Sequence, residues 1–165
     1  MANWSNCEIS IQCYDIFALK FINTKIQRNT QDEYFHSTIT ESEMVIDDYF
    51  IDNSVIYING QGRWSGPESY FRKLALEYPN LIEQLVYTDS EGGSNYFTKF
   101  IIQNGEIVEE IDTEHFSPEA VREYGFDYFE YQYDIWCDDD TDIEEKQDIY
   151  DVFLEADINL NKDVI

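Results

Sequence analysis

The chain has 165 residues, of which 35 are Asp or Glu and 10 are Lys or Arg, and its formal net charge is −25. Its 43% hydrophobic and 16% aromatic content excludes a wholly disordered acidic tail, because such tails are poor in aromatic residues. The negative charge disfavours direct binding to nucleic acid or to an anionic membrane. Three cysteines without metal-ligand spacing and an N-terminus without a signal-peptide pattern predict a soluble, cytoplasmic protein with reduced thiols.

The first part of the chain predicts a strand, a helix and a β-hairpin. Residues 7–13 alternate apolar and polar side chains, which is the period of a half-buried strand. Asp15 can cap a following helix, whose predicted apolar face comprises Phe17, Ala18, Phe21, Ile22 and Ile26. After a polar loop over residues 29–42, the β-branched and aromatic residues of 45–51 and 55–58 predict a hairpin.

A second helix, a strand and a second hairpin follow. Ser65-Gly66-Pro67-Glu68 is typical of a helix start, and Pro79 ends that helix. Residues 81–87 predict a strand. Asn104-Gly105 predicts a type I′ hairpin, in which Lys99 faces Glu110 and one core-facing side holds Phe100, Ile102, Ile107 and Ile111.

The C-terminal third combines acidic and aromatic residues. Residues 101–165 hold 21 acidic and three basic residues. Ser117-Pro118 opens a short helix that Gly125 can close, and the partial alternation over residues 126–137 predicts a further strand. A capping box at Thr141-Asp142-Ile143-Glu144 starts a helix that runs to about Asp157, with an apolar stripe of Ile143, Tyr150, Phe153 and Leu154.

The predicted order β-α-β-β-α-β is the split βαβ arrangement of a ferredoxin-like sandwich. We therefore predict an α+β fold with two parts. A ferredoxin-like domain spans residues 1–112 and carries the added β-hairpin. An acidic α/β extension spans residues 113–165 and packs on that domain.

Short motifs within residues 1–112 resemble the YubB-type ferredoxin-like domain family, which occurs in phages and plasmids. They are Met1-Ala2-Asn3-Trp4, Arg63-Trp64-Ser65-Gly66-Pro67, Tyr78-Pro79-Asn80-Leu81, and Tyr87 followed by an acidic, Gly-rich loop at residues 89–93. Ser5 and Gly66 depart from the family pattern, which commonly has Cys after the first Trp and a Pro pair after the second. The resemblance implies the fold and a mobile-element origin, and it implies no chemistry.

Catalytic and ligand-binding patterns are incomplete. Cys137, His115 and an Asp supply the residue types of a triad, but no nucleophile-elbow motif accompanies them. Residues 60–65 lack the third Gly of a dinucleotide fingerprint, and the acidic run 138–142 is not followed by the Gly and Glu of an EF-hand loop. We expect no cofactor, no metal and no enzymatic activity, and an enzyme with an unrecognised site remains the alternative.

The charge itself is therefore the main functional signal. It exceeds the magnitude of ~2–8 that keeps a small domain soluble, and repulsion within such a surface destabilises the folded state. We predict an acidic inhibitor that mimics nucleic acid and binds a basic nucleic-acid-handling protein. With the phage and plasmid resemblance, the predicted targets are CRISPR effectors and restriction enzymes in the host cytoplasm.

Residues 127–151 form the predicted contact surface. Carboxylates give fast, salt-sensitive association, and apolar anchors such as the tyrosines, Phe129 and Trp136 give specificity. The predicted partner-binding residues are Asp127, Glu130, Tyr131, Asp134, Trp136, Asp138, Asp139, Asp140, Asp142, Glu144, Glu145, Asp148 and Asp151.

Three alternatives stay open. One is a cytosolic immunity protein that neutralises a basic nuclease toxin, and another is a small accessory phage protein without enzymatic activity. The third is that the acidity reflects halophilic adaptation rather than mimicry.

Overall fold

The computed structural model describes residues 4–160. The fold is α+β, with an eight-stranded antiparallel sheet and five α-helices. The chain divides into two compact units, residues 1–112 and residues 113–165. We call the first the sheet unit, because it holds all of the sheet except Thr113; it also holds two helices. We call the second the helical unit.

The strand order in the sheet is β2-β3-β4-β5-β1-β6-β7-β8. The helix α1 (Ile16–Gln27) follows β1, and the helix α2 (Glu68–Glu77) follows β5. The strands are β1 (Trp4–Cys13), β2 (Thr30–Gln31), β3 (Tyr34–Ser37), β4 (Ser42–Asp52), β5 (Val55–Arg63), β6 (Ile82–Glu91), β7 (Tyr96–Gln103) and β8 (Glu106–Thr113).

The helix α1 begins where the sequence predicts. The Asp15 carboxylate accepts hydrogen bonds from the backbone N–H groups of Phe17 and Ala18, at 2.9 and 2.8 Å. The predicted apolar face is partly wrong, because Phe17 is 77% exposed and Phe21 is 46% exposed, whereas Leu19 is buried. The residues of α1 that reach the core are Ala18, Leu19, Ile22 and Ile26.

Both helices of the sheet unit contribute to one core. Alternate residues of β1, from Cys7 to Cys13, are buried against this core, as the period-2 pattern predicts. Phe71 of α2 is fully buried and stacks on Phe35 of β3 with ring centroids 5.7 Å apart. The segment 29–42 was expected to be a loop, but Phe35 anchors the short strands β2 and β3 within it.

The hairpin of β7 and β8 has a different arrangement of side chains from the one predicted. Asn104 and Gly105 have φ angles of 51° and 79°, as a type I′ turn requires. Glu110 lies 2.7 Å from a guanidinium nitrogen of Arg72 on α2, and Lys99 pairs with Glu109 at 3.3 Å. The predicted core position of Ile107 is wrong, since 44% of its surface is exposed.

The helical unit contains no strand within residues 114–160, so the predicted strand at 126–137 is wrong. That segment forms a 3-10 turn (Asp127–Phe129) and the helix α4 (Glu130–Cys137), between α3 (Pro118–Tyr124) and α5 (Ile143–Glu155). The reason is the spacing of its large aromatic residues, which recur every three or four positions, as on one face of a helix. They are Phe126, Phe129, Tyr133 and Trp136.

The caps of the helical unit match the sequence closely. Ser117 Oγ accepts from the backbone N–H of Ala120 at 3.3 Å, and Gly125 ends α3 with a φ of 82°. Asp142, rather than Thr141, caps α5. Tyr150 and Phe153 of the predicted stripe are buried, but Ile143 is 77% exposed and Leu154 is 42% exposed. The buried side of α5 instead includes Lys146 and Ile149.

Candidate functional site

The exposed carboxylates of the helical unit form the surface on which the functional prediction depends. All eleven acidic residues that the sequence singles out are exposed. We call this set the acidic surface: Asp127, Glu130, Asp134, Asp138, Asp139, Asp140, Asp142, Glu144, Glu145, Asp148 and Asp151.

Two of the predicted apolar anchors are in the core instead. Trp136 is fully buried, with its ring centroid 5.6 Å from that of Tyr133, and Phe129 is only 3% exposed. Neither side chain can touch a partner without unfolding the unit, so both are corrected to core residues. Tyr131 is 71% exposed and Tyr128 is 40% exposed, which leaves them as aromatic groups that a partner can contact.

Helical geometry fixes the spacing of the carboxylates on α5. Glu144, Asp148 and Asp151 occur at positions i, i+4 and i+7, so they lie on one side of the helix. A rise of 1.5 Å per residue separates them by ~6 Å and ~4.5 Å along the axis. On α4, Glu130 and Asp134 have the same four-residue spacing.

The turn between α4 and α5 is held by its own carboxylates. Asp138 Oδ1 accepts from the backbone N–H of Asp140 at 3.0 Å, and Asp142 Oδ1 accepts from that of Glu145 at 2.9 Å. Negative charge at the start of α5 also interacts favourably with the helix dipole. The Asp138 and Asp142 carboxylates are therefore held by backbone hydrogen bonds and do not project from a loose chain.

The carboxylates of the acidic surface form no ion pair with a described Lys or Arg. Within the described residues 4–160, none of its carboxylates has a Lys or Arg nitrogen within the 4.0 Å limit of an ion pair. Arg122 donates to the backbone carbonyl of Glu155, and the Lys146 side chain is buried. The sheet unit differs, since its ion-paired acids are Glu43, Glu68, Glu77, Glu109 and Glu110.

A buried polar cluster in the sheet unit is the second candidate site. Asp89, 2% exposed, accepts from Gly66 N at 2.7 Å, from Tyr87 Oη at 3.2 Å and from Cys7 Sγ at 3.3 Å. Gly66 has to be glycine here, because a Cβ would lie 2.2 Å from Cys7 Sγ and 2.5 Å from Tyr87 Oη. The cluster thus joins the segment before α2 to the strands β1 and β6.

The chemistry of this cluster is that of proton donors. Burial, together with the nearby Asp89 carboxylate, raises the pKa of the Cys7 thiol. Burial also raises the pKa of Tyr87 far above its ordinary value. Both groups stay protonated at neutral pH and donate to Asp89, so Cys7 is not a thiolate nucleophile. The arrangement is suited to fixing the backbone.

Sequence reasoning missed the role of Asp89. It placed this residue at the start of an acidic, Gly-rich loop, but Asp89 lies within β6 and the turn begins after Glu91. The available signal was Gly66, which precedes Pro67. An exposed turn would tolerate a side chain at this position, so a glycine there indicates a close contact. Its close contact with Asp89 spans 23 residues of sequence and has no local pattern.

The residue types of the hypothetical triad have other contacts. The His115 ring lies 5.9 Å from that of Tyr128 and 5.4 Å from that of Phe129. A hydrogen bond with Cys137 raises the pKa of Tyr133. Among residues 4–160, no group of three or more His, Cys, Asp or Glu side chains is arranged to hold a metal ion.

Comparisons with known proteins leave the family undetermined. No protein-family model, curated protein or solved structure matches the chain. In the part of the chain that the structure describes, no helix has both the length and the apolar character needed to cross a bilayer.

Proposed function

We propose that this chain is an acidic inhibitor that mimics nucleic acid and occupies the cationic groove of a DNA- or RNA-handling defence enzyme, a CRISPR effector or a restriction enzyme. The observation that carries the proposal is the acidic surface: eleven exposed carboxylates without an ion-pair partner in the described chain. Left unpaired, these charges repel one another in the free protein. A cationic partner would relieve that repulsion on binding.

Order within the helical unit supports mimicry over non-specific acidity. Carboxylates on α4 and on the capped helix α5, which share an aromatic core, keep their spacing, so a partner meets a fixed pattern of charge. Duplex DNA presents one negative charge per ≈1.7 Å of axis, and its binding proteins neutralise those charges with Lys and Arg. Charge complementarity of this kind accelerates association at low salt, and Tyr131 and Tyr128 can add apolar contact.

The architecture and origin that accompany this function are proposals too. The order β4-β5-β1-β6, with helices after β1 and β5, supports a ferredoxin-like sandwich within residues 1–112, extended by the hairpin of β7 and β8. Tyr87 and Asp89 belong to a motif that resembles the YubB-type family, and they meet in one buried cluster with Gly66, a position at which the chain departs from the family pattern. The cluster supports a structural role for that motif, and the proposed phage or plasmid origin rests on the sequence resemblance.

The proposal is tested by inhibition of purified CRISPR effectors and restriction enzymes that cleave a labelled DNA duplex. We expect inhibition by the wild-type chain that weakens as salt rises from about 50 to 200 mM, because salt screens charge–charge attraction. The triple variant D138N/D139N/D140N should inhibit at least tenfold less well, with a flatter salt dependence.

A matched control separates the acidic surface from total charge. The variant D47N/D48N/D52N removes three exposed acids from β4, in the sheet unit, and changes the net charge equally. It should inhibit as the wild type does. If both triple variants lost inhibition equally, the net charge rather than the acidic surface would cause inhibition. If D138N/D139N/D140N inhibited as well as the wild type, our assignment of the surface would be contradicted.

A further inference from the structure

A cavity of about 280 Å³ opens between α1 and α2 in the sheet unit. Its wall includes three cationic side chains, Lys25 and Arg28 at the C-terminal end of α1 and Lys73 on α2. We call this cavity the basic pocket. Only 10 of the 165 residues are Lys or Arg, so three around one cavity are a concentration of positive charge in a strongly anionic protein.

Two of these cations have no carboxylate partner. Within residues 4–160, neither Lys25 nor Arg28 has an acidic oxygen within the 4.0 Å ion-pair limit, although acids outnumber bases 35 to 10. Lys25 Nζ instead lies 5.0 Å from the ring centroid of Tyr78. The α1 dipole favours cations at this end of the helix, but it does not account for Lys73, which α2 contributes.

Neutral hydroxyl groups also line the pocket, and that of Ser37 is unpartnered within residues 4–160. Ser37 lies in its wall, and its hydroxyl is fully buried with no hydrogen-bond partner among the described residues. Such an unpartnered hydroxyl is costly unless something in the cavity pairs with it. Tyr70 accepts from Asn29 Nδ2 at 3.3 Å and donates to the Lys25 backbone carbonyl at 3.4 Å, and burial raises the pKa of Tyr70 to about 12, so its hydroxyl is neutral but already paired.

The charges define the class of anion. Lys25, Arg28 and Lys73 carry three positive charges, and Glu77, which lies 3.6 Å from Lys73, carries one negative charge. The remaining two positive charges match a phosphate monoester, which carries about −1.5 to −2 at neutral pH. A carboxylate would neutralise only one of them.

The remaining wall defines what the anion is attached to. Leu74 and the aromatic ring of Tyr78 line the cavity, and Ile39, which is 81% exposed, lies at its rim. These groups accept an apolar or aromatic body. The volume is near the lower end for small-molecule sites, which run from about 300 Å³, and therefore suits a single nucleotide rather than a polymer.

We propose that the basic pocket binds a small phosphate monoester with an aromatic body, the chemistry that a nucleoside monophosphate presents. Lys25, Arg28 and Lys73 contact the phosphate, the Ser37 hydroxyl donates to it, and Tyr78 and Leu74 contact the base. This site lies in the sheet unit and does not depend on the function proposed for the acidic surface.

Calorimetric titration of the full chain tests the site with adenosine 5′-monophosphate, adenosine and inorganic phosphate. We expect a Kd of about 10–100 µM for the monophosphate, as ligand efficiencies for a molecule of this size give. Adenosine should bind at least tenfold more weakly, since it lacks the charge. Inorganic phosphate should compete with the monophosphate but bind more weakly, since it lacks the apolar body.

Variants locate the binding. K25Q/R28Q should weaken the monophosphate at least tenfold, and S37A should weaken it by a smaller factor. The control R63Q changes an exposed cation that pairs with Glu43 outside the pocket, and it should bind as the wild type does. Thermal unfolding of each variant checks that the fold is retained.

Two results would overturn the proposal. One is the absence of measurable heat with the monophosphate at 1 mM, and the other is equal affinity of the wild type and K25Q/R28Q. Sedimentation tests a competing occupant of the pocket, the acidic surface of a second copy of this chain. Self-association that K25Q/R28Q and D138N/D139N/D140N both abolish, without nucleotide binding, would assign the pocket to the acidic surface of a second copy.

Discussion

Removing the Asp89 side chain should destabilise the sheet unit severely. Asp89→Ala leaves two buried donors, on Tyr87 and Cys7, and a partly buried one, on Gly66, without the acceptor that each now contacts at 2.7 to 3.3 Å. A buried donor left without a partner costs about 1–3 kcal/mol. Some water entry into the space vacated by the carboxylate reduces the total, so we expect a loss of about 3–6 kcal/mol. That is a large fraction of the 5–15 kcal/mol that typically stabilises a domain.

The isosteric variant Asp89→Asn refines this expectation. Its amide oxygen can replace Oδ2, which accepts from Gly66 N and Tyr87 Oη, while its NH₂ group faces the Cys7 sulfur. The sulfur can accept weakly, so we expect a loss of only about 1 kcal/mol. Asp47→Ala, at an exposed position of β4, serves as the control and should stay within about 0.5 kcal/mol of wild type.

Urea denaturation followed by circular dichroism measures these differences, with hydrogen exchange on β1 and β6 to locate the loss in the sheet unit. The reasoning would be refuted if Asp89→Ala cost less than about 1 kcal/mol, or no more than Asp89→Asn. Either result would mean that the three donors find other partners and that the carboxylate does not hold the segment before α2.

Three further predictions concern the two cores and the β7–β8 turn. Burial raises the pKa of Cys13 to about 11 and also raises that of Cys7. In the folded chain these thiols stay protonated at pH values above the unfolded thiol pKa of about 9. The free energy of unfolding should therefore fall as pH rises from 9 through 11. A urea midpoint that does not change over that range would contradict this. Trp136→Ala should cost about 3–5 kcal/mol and reduce the helical dichroism, whereas Tyr131→Ala should change stability by less than about 0.5 kcal/mol; similar losses would contradict the placement of Trp136 in the core. Gly105→Ala should cost about 1–2 kcal/mol in urea denaturation, since φ is +79° and a Cβ would lie 2.6 Å from that of Pro79, and unchanged stability would be inconsistent with this turn.

The sequence predicted those helix ends and turns that are determined by residues a few positions away. Asp15, Ser117 and Gly125 act on backbone groups two to four positions away, so their patterns identify helix ends directly. The turn at Asn104-Gly105 is equally local, because both residues need a positive φ. The order of the first elements and the α+β class follow from these signals.

Non-local contacts account for what the sequence could not predict. Glu110 pairs with Arg72 because α2 lies over β7, with the guanidinium carbon 4.4 Å from the Phe100 ring centroid, and hairpin register alone contains no information about α2. Phe35 makes the segment 29–42 partly strand because Phe71, 36 residues later, packs against it. The prediction of a strand at residues 126–137 failed for a different reason. Polar and apolar residues partly alternate there, as in a strand, although the large aromatic residues have helical spacing.

The candidate site was predictable in its charges and not in its aromatic groups. Acidic side chains are almost always exposed, so composition alone located the carboxylates on the surface. Tyr131 and Trp136 occupy similar contexts in sequence, but only packing decides that one faces outward and the other inward. The cations of the basic pocket come from two helices, and no spacing along the chain brings Lys25 and Lys73 together.

The outermost strand β8 has a consequence for how copies of this protein behave in concentrated solution. It ends the sheet, and four of its eight residues are acidic: Glu106, Glu109, Glu110 and Asp112. Glu106 and Asp112 have no cation within ion-pair distance in residues 4–160, so a strand from another copy would bring like charges together at this border. Salt screens this repulsion, and high ionic strength therefore favours edge-to-edge pairing of copies through β8.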